Sequence, residues 1–256
     1  MKRLGLVLTL MLGSVIGMSH LTPPISDGGQ VCTQSTRENA VKEHILQRIS
    51  HVGLLKVFIK DTDTYLGGGS CFPIKSVARK EGGFTTYYLS AKHVTGAHPN
   101  VTKKYDYKIV SYRDKKYGIG YQIARVYDKI EILGSTLNDD VVVLKAITDE
   151  RIPSFSLEKK EPKIGEDVWV AGWPMSENLW FSPGIVVGPW KGNVLHWKLT
   201  GFVIMGKSGG PVISLKTGKV IGIVFGMLAP NGRFLPNCPI MTPMSEVHDF
   251  VNKFLK

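Results

Sequence analysis

From residue 54 onward the chain is a procession of short apolar-rich runs broken by turn residues. The runs read "LLKVFI", "FTTYYLSA", "YKIVSY", "GYQIARVY", "DVVVLKA", "DVWVAGW", "GIVVG", "VLHWKLT", "PVISL", "VIGIVFGML" and "PIMT". Val, Ile, Tyr, Phe and Thr dominate them, and these side chains fit a pleated, half-buried surface. Gly, Pro, Asn and Asp stand between many of the runs, where the chain must turn. No helical period alternates with them, so a βαβ architecture is excluded and an all-β sandwich or barrel is predicted. Hydrophobic residues make up 43% of the chain, enough for a core without disulfide staples.

Helical signals flank this β region. In "STRENAVKEHILQRIS", Val41, Ile45, Leu46 and Ile49 recur at helical spacing, with Ser35 or Thr36 placed to cap. In "SEVHDFVNKFL", Val247, Phe250, Val251 and Phe254 predict a closing helix. The N-terminus carries Lys2 and Arg3 ahead of a mostly apolar stretch, Leu4 to Met18. That stretch is shorter than the roughly 20 residues a spanning helix needs, and it suits a secretory signal cleaved after Ser19 or a retained signal anchor. The expected organisation is residues 1–19 as signal peptide or anchor and 20–35 as linker, then 36–155 as helix and first β unit, and 156–256 as second β unit and helix. The charged stretch "TDERIPSFSLEKKEPKIGE" marks the internal boundary. The expected location is exported, periplasmic or secreted, or membrane-attached.

The formal net charge is +11, spread without long like-charged runs. It describes a solvated basic surface, with attraction to anionic membranes or acidic substrates as the sharper reading. No nucleic-acid-binding motif is present. Cys32, Cys71 and Cys238 lack zinc-site spacing and allow at most one disulfide. No metal and no cofactor is expected.

The stretch "GFVIMGKSGGPV", residues 201–212, holds two overlapping patterns. Gly201 to Ser208 spells a phosphate-binding loop, G-x-x-x-x-G-K-S. That reading fails on context. Phe202, Val203, Ile204 and Met205 would crowd the phosphate cradle, and Gly209, Gly210 and Pro211 oppose the helix that must follow. The second pattern, G-x-S-G-G-P, suits a serine nucleophile. A serine hydroxyl needs a base to take its proton, and the oxyanion formed on attack needs backbone N–H donors. Gly206 would let its own N–H and that of Ser208 point together, while Gly209 and Gly210 would let a substrate backbone pass close by. For the base, His93 follows "TTYYLSAK" at the end of a strand-like run. For the acid, Asp140 immediately precedes Val141, Val142, Val143 and Leu144, and its neighbour Asp139 reads as a turn residue after Asn138.

"LSAKHV", "NDDVVVLKA" and "GKSGGPV" therefore appear in the order His, Asp, Ser. In this the chain resembles the chymotrypsin-like fold, most of all trypsin-like proteases of the HtrA type. "YLGGGSCFPI", "PKIGEDVWVAGWP" and "GKVIGIVFG" resemble further strands of that family, so the likeness spans about residues 50 to 250. The resemblance implies two six-stranded antiparallel β-barrels with the triad His93, Asp140 and Ser208 in the cleft. It implies a serine endopeptidase acting on protein or peptide substrates through an acyl-enzyme. The oxyanion would rest on the N–H groups of Gly206 and Ser208. The pocket for the residue before the cut bond would be lined by Phe202 and Val203, by Val224, Phe225, Gly226 and Met227, and by roughly Pro239 to Met241. Between Glu177 and Glu246 there is no Asp or Glu, so the pocket is expected to take small or medium aliphatic residues and to reject Arg and Lys.

The sequence departs from the family pattern in two places and from pancreatic-type enzymes in a third. Cys71 stands where the family often has glycine. The chain ends soon after its last strand-like run, so the PDZ domain common in HtrA proteins, with its cage assembly and chaperone role, is not expected. Lys207 stands where pancreatic-type enzymes carry an aspartate that receives a newly cut N-terminus, so no such activation switch is expected. Two alternatives stay open: a viral-type processing protease of the same fold, and a catalytically silent protease fold used as a binding module.

Overall fold

The structure, a computed structural model, describes residues 31–96, 105–114, 121–136, 138–191, 195–229 and 233–255. The segment 1–19 and the linker as far as residue 30 lie outside the described residues. A helix, α1 (Val31–Ile49), opens the described chain. The first β unit follows, with β1 (Gly53–Ile59), β2 (Tyr65–Ala78), β3 (Phe84–Ala91), a helical turn α2 (Lys92–Thr95), β4 (Tyr105–Asp114), β5 (Tyr121–Tyr127), β6 (Ile130–Ser135) and β7 (Val141–Thr148). The second unit holds β8 (Asp167–Gly172), a 3-10 turn (Pro174–Ser176), β9 (Trp180–Lys191), β10 (Leu195–Leu199), β11 (Pro211–Ser214), β12 (Val220–Leu228) and β13 (Leu235–Pro243), and closes with α3 (Met244–Asn252).

The second unit is a closed antiparallel barrel in the order β10-β13-β12-β11-β8-β9, six strands as expected. The first is a seven-stranded antiparallel sheet in the order β5-β4-β1-β2-β3-β7-β6. It curls until β4 lies near β6 and β5 near β7, without closing the hydrogen-bonded ring. The additional strand is β6, whose residues are half-exposed along most of its length. A strand buried that weakly carries little apolar signal, which is why "IEILGS" does not stand out in the sequence.

Three apolar clusters account for the packing. One fills the first sheet, through Leu55, Val57, Tyr88, Ile109, Val142 and Leu144. One fills the second barrel, through Val168, Val186, Ile221, Val224 and Met241. The third joins both units, with Leu54, Phe72, Leu89 and Val143 from the first meeting Trp173, Ile213, Val220 and Ile223 from the second. Strand β7 serves two clusters at once. Val141 and Val143 face the shared core, while Val142 and Leu144 face the first sheet's own core. Burial on both faces explains the unbroken "VVVL" where a one-sided strand would alternate.

The helices seal one side of the shared core. Ile45 and Ile49 of α1 and Val247 and Val251 of α3 are buried in it. Helix α1 begins at Val31, inside the stretch read as linker and ahead of the expected caps, because no Gly or Pro interrupts the chain from Val31 to Val52. Leu46, expected on its apolar face, is 47% exposed.

Candidate active site

The ladder between β3 and β7 sets the first half of the site. Its register ends with Ala91 opposite Val141, so the residues just beyond, Lys92–His93 and Asp140, face one another. The Lys92 N–H donates to the Asp140 carbonyl at 2.9 Å. Asp140 then adopts a left-handed backbone, φ 56°, which a short carboxylate tolerates better than most side chains. That turn aims both carboxylate oxygens at His93. Oδ1 accepts the His93 backbone N–H at 2.8 Å, and Oδ2 stands 2.5 Å from His93 Nδ1. A carboxylate at Nδ1 makes that nitrogen the proton donor and leaves Nε2 as the acceptor. His93 sits in the turn α2 rather than at the end of the strand. Asp139 behaves as the turn residue it was read to be, and its carbonyl accepts Thr242 Oγ1 at 2.8 Å.

Ser208 lies on the loop before β11. Gly206 is needed at its entry, with φ 94° and a would-be Cβ only 2.3 Å from the Trp173 carbonyl oxygen. Strand β2 grips this loop through Ser70. The Ser70 N–H donates to the Ser208 carbonyl at 2.7 Å, its Oγ donates to the Gly206 carbonyl at 2.8 Å, and the Trp173 N–H donates to that Oγ at 2.8 Å. Among the described residues, the N–H groups of Gly206 and Ser208 meet no acceptor. Two unpaired donors two residues apart on a held loop are available to a developing oxyanion.

The next two glycines have another role than the one the sequence suggested. A Cβ on Gly209 would lie 2.2 Å from the Ser70 carbonyl oxygen, and one on Gly210 would lie 2.0 Å from the Ala171 carbonyl oxygen. They therefore allow close packing of the loop against β2 and β8, not passage of a substrate backbone.

The structure brings His93 and Asp140 into direct contact and places Ser208 beside the same residue that touches His93. Ser208 Oγ donates to the Phe225 carbonyl at 3.4 Å, and the Phe225 ring meets the His93 ring edge-on at 6.0 Å between centroids. No hydrogen bond joins Ser208 to His93 among the described residues.

The expected pocket residues divide into two groups. Val203 and Val224, at 1% and 0% exposure, belong to the interior of the second barrel, and Met241 is buried with them. Strand β12 turns the Val224 side chain inward, and the Val203 N–H is tied to the Pro236 carbonyl at 3.0 Å. Phe202 reaches the surface, at 40% exposure. Gly226 faces open space, with nothing within 4 Å of a would-be Cβ, and Met227 is half-buried beside it. Phe225 gives its ring to His93 and its carbonyl to Ser208.

Two buried polar side chains close to the site were not anticipated. Lys207 is fully buried, and burial pushes its ammonium down to about 8. His196 is 6% exposed and stacked on Phe225 at 4.4 Å, with its Nε2 unpartnered. Burial lowers the His196 pKa, opposed by the Asp140 and Asp139 charges. The sequence held a weak hint for His196, a histidine flanked by Trp197 and Leu195 within a strand run. No group of three or more His, Cys, Asp or Glu among the described residues could hold a metal ion. Likewise, no helix among them is long and apolar enough to cross a membrane. Cys71 and Cys238 are free thiols, Cys71 buried and Cys238 half-buried.

The family model of the trypsin-like peptidase domain matches residues 69–223, more than half of the 256-residue chain. A search of curated proteins returned no match. Among solved structures, the fold resembles the serine endoprotease from Yersinia pestis, with a TM-score of 0.57 at 18% sequence identity. That likeness covers 83% of this chain and 65% of the Yersinia chain, so this chain spans less than two thirds of that protein.

Proposed function

Because the chain belongs to the trypsin-like peptidase domain family, we propose that it is a serine endopeptidase with the triad Ser208, His93 and Asp140. Ser208 Oγ attacks the substrate carbonyl while His93 Nε2 takes its proton and later passes it to the leaving amine. Asp140 holds the imidazole tautomer and stabilises the imidazolium. The N–H groups of Gly206 and Ser208 receive the oxyanion. Water then releases the acyl group by the same steps. The observation that carries this reading is the double hydrogen bond from His93 to Asp140, at 2.8 Å and 2.5 Å. The test is hydrolysis of a denatured protein mixture by purified protein, with Ser208→Ala and His93→Ala as controls. Activity that survives Ser208→Ala would remove the proposal.

One observation favours a second reading, a silent protease fold that binds peptides. Ser208 Oγ rests on the Phe225 carbonyl instead of His93. On the endopeptidase reading Ser208 Oγ leaves the Phe225 carbonyl for His93 Nε2 when substrate enters, since catalytic hydrogen bonds often tighten only in the complex. Peptide binding without turnover would favour the silent module. The N-terminal pattern of Lys2, Arg3 and the apolar Leu4–Met18 supports a further proposal, that the enzyme acts on proteins outside the cytoplasm or at a membrane.

A further inference from the structure

The residue beside the nucleophile is a buried cation, and it joins two parts of the site loop. Lys207 has no exposed surface. Its side chain runs beneath Gly172 of β8, where an added Cβ would come within 3.1 Å of Lys207 Cγ. Its ammonium donates to Ser182 Oγ on β9 at 3.0 Å and to the Phe202 carbonyl at 3.2 Å. Ser182 Oγ itself donates to that same carbonyl at 2.9 Å. All the acceptors are neutral, and Lys207 forms no ion pair among the described residues. An apolar side chain of the same length would fill this space without the desolvation cost.

The geometry of these bonds closes the loop into a ring. The ring runs from the Phe202 carbonyl through Val203, Ile204, Met205 and Gly206 to Lys207, and returns through the Lys207 side chain. Its backbone is further pinned by the Lys207 N–H to the Ile204 carbonyl at 3.2 Å and by the Gly210 N–H to the Lys207 carbonyl at 3.0 Å. The two unpaired amides, Gly206 and Ser208, sit on either side of the residue that closes this ring. We infer that Lys207 is a positioning residue, an internal cationic strut that holds the oxyanion amides in place by tying Phe202 to β9. This rests on the reading of Ser208 as the nucleophile. It adds a source of order for the loop that requires no second chain, no cleaved terminus and no bound ion.

Two variants test it. Lys207→Met keeps an unbranched side chain only one atom shorter and removes the charge and both hydrogen bonds. Replacing a buried charge by an apolar isostere is commonly neutral or stabilising, so the melting temperature should stay level or rise. The turnover number should fall about 10- to 100-fold with KM little changed, a loss bounded by the roughly 10²- to 10³-fold seen when an oxyanion donor is removed. In the wild type, turnover should also decline above about pH 8 as the ammonium loses its proton, and Lys207→Met should lack that limb. Ser182→Ala, which removes one acceptor of the ammonium, should move the limb to lower pH, and it serves if Lys207→Met does not fold. Amide hydrogen exchange provides a readout that needs no activity. Within residues 202–208 the two hydrogen-bonded amides, Val203 and residue 207, should exchange about tenfold faster in Lys207→Met than in the wild type, corrected for intrinsic rates. Exchange and turnover both matching wild type would overturn the strut. A wild-type protein that is inactive yet shows the exchange difference would instead count against the endopeptidase reading and leave the strut standing.

Discussion

Replacing Gly209 by alanine should damage the protein in two measurable ways at once. The added methyl would stand 2.2 Å from the Ser70 carbonyl oxygen, 2.4 Å from Ser90 Oγ and 2.7 Å from the Ala91 backbone nitrogen. Ser90 could rotate away, but the other two atoms belong to paired strands and cannot. The backbone at this position has φ 83°, which an alanine adopts at a cost of about 1–2 kcal/mol. Overpacking against a fixed backbone adds about 1–3 kcal/mol. The sum, about 2–5 kcal/mol, corresponds to a fall of roughly 4–20 °C in melting temperature for a protein near this size. Relief of the clash would also lift the loop from β2 and stretch the Ser70 N–H bond to the Ser208 carbonyl, now 2.7 Å. A displacement near 1 Å at a nucleophile costs about 100-fold in rate. Calorimetry gives the first quantity, and peptide hydrolysis well below the transition gives the second. If Gly209→Ala melted like the wild type and only KM rose, Gly209 would be clearing a path for substrate and the packing argument would be wrong.

Other consequences are sharper at single residues. Asp140→Asn should lower turnover by about 10⁴-fold, the size known for loss of the orienting acid in a triad, whereas Asp139→Asn should cost far less; the reverse order in a kinetic comparison would shift the acid by one residue. Cleavage mapped by mass spectrometry should favour bonds after Val, Ala, Ile or Leu, because no carboxylate lies between Glu177 and Glu246 to neutralise a buried Arg or Lys, and a majority of cuts after Arg or Lys would refute this. His196 has a folded-state pKa below its ordinary 6.5, so the unfolded chain binds its proton more readily and stability falls as pH drops below about 6.5. His196→Phe should flatten the loss of melting temperature as pH falls below about 6.5, and an unchanged slope would show that other groups govern it.

The sequence made different parts of this protein legible to different degrees. Strands buried on two faces, such as β7 and β12, were plain because their apolar runs are continuous. The half-exposed β6 was not, since its Glu131 and Gly134 dilute the signal. Asp140 could be separated from Asp139 because only one of them abuts the apolar run, and the β3–β7 register then places it opposite His93. The roles of Gly209 and Gly210 were misread because a glycine in sequence states that a side chain is absent, not which neighbour requires it. The side-chain directions around the expected pocket were not legible for a related reason. Val203 and Val224 are apolar in either setting, and only the barrel's curvature decides that they point inward. Lys207 could be seen to exclude an aspartate's role, but its burial and its two acceptors come from β9 and from the far end of its own loop.

Treatment of the purified protein with a fluorophosphonate probe addresses the central claim most directly, because only a serine activated by a neighbouring base reacts. Tandem mass spectrometry of the digest should locate a single phosphonyl adduct on Ser208. His93→Ala should abolish the adduct, and Asp140→Asn should slow its formation. An unlabelled wild-type protein, or an adduct on any other serine, would contradict the triad.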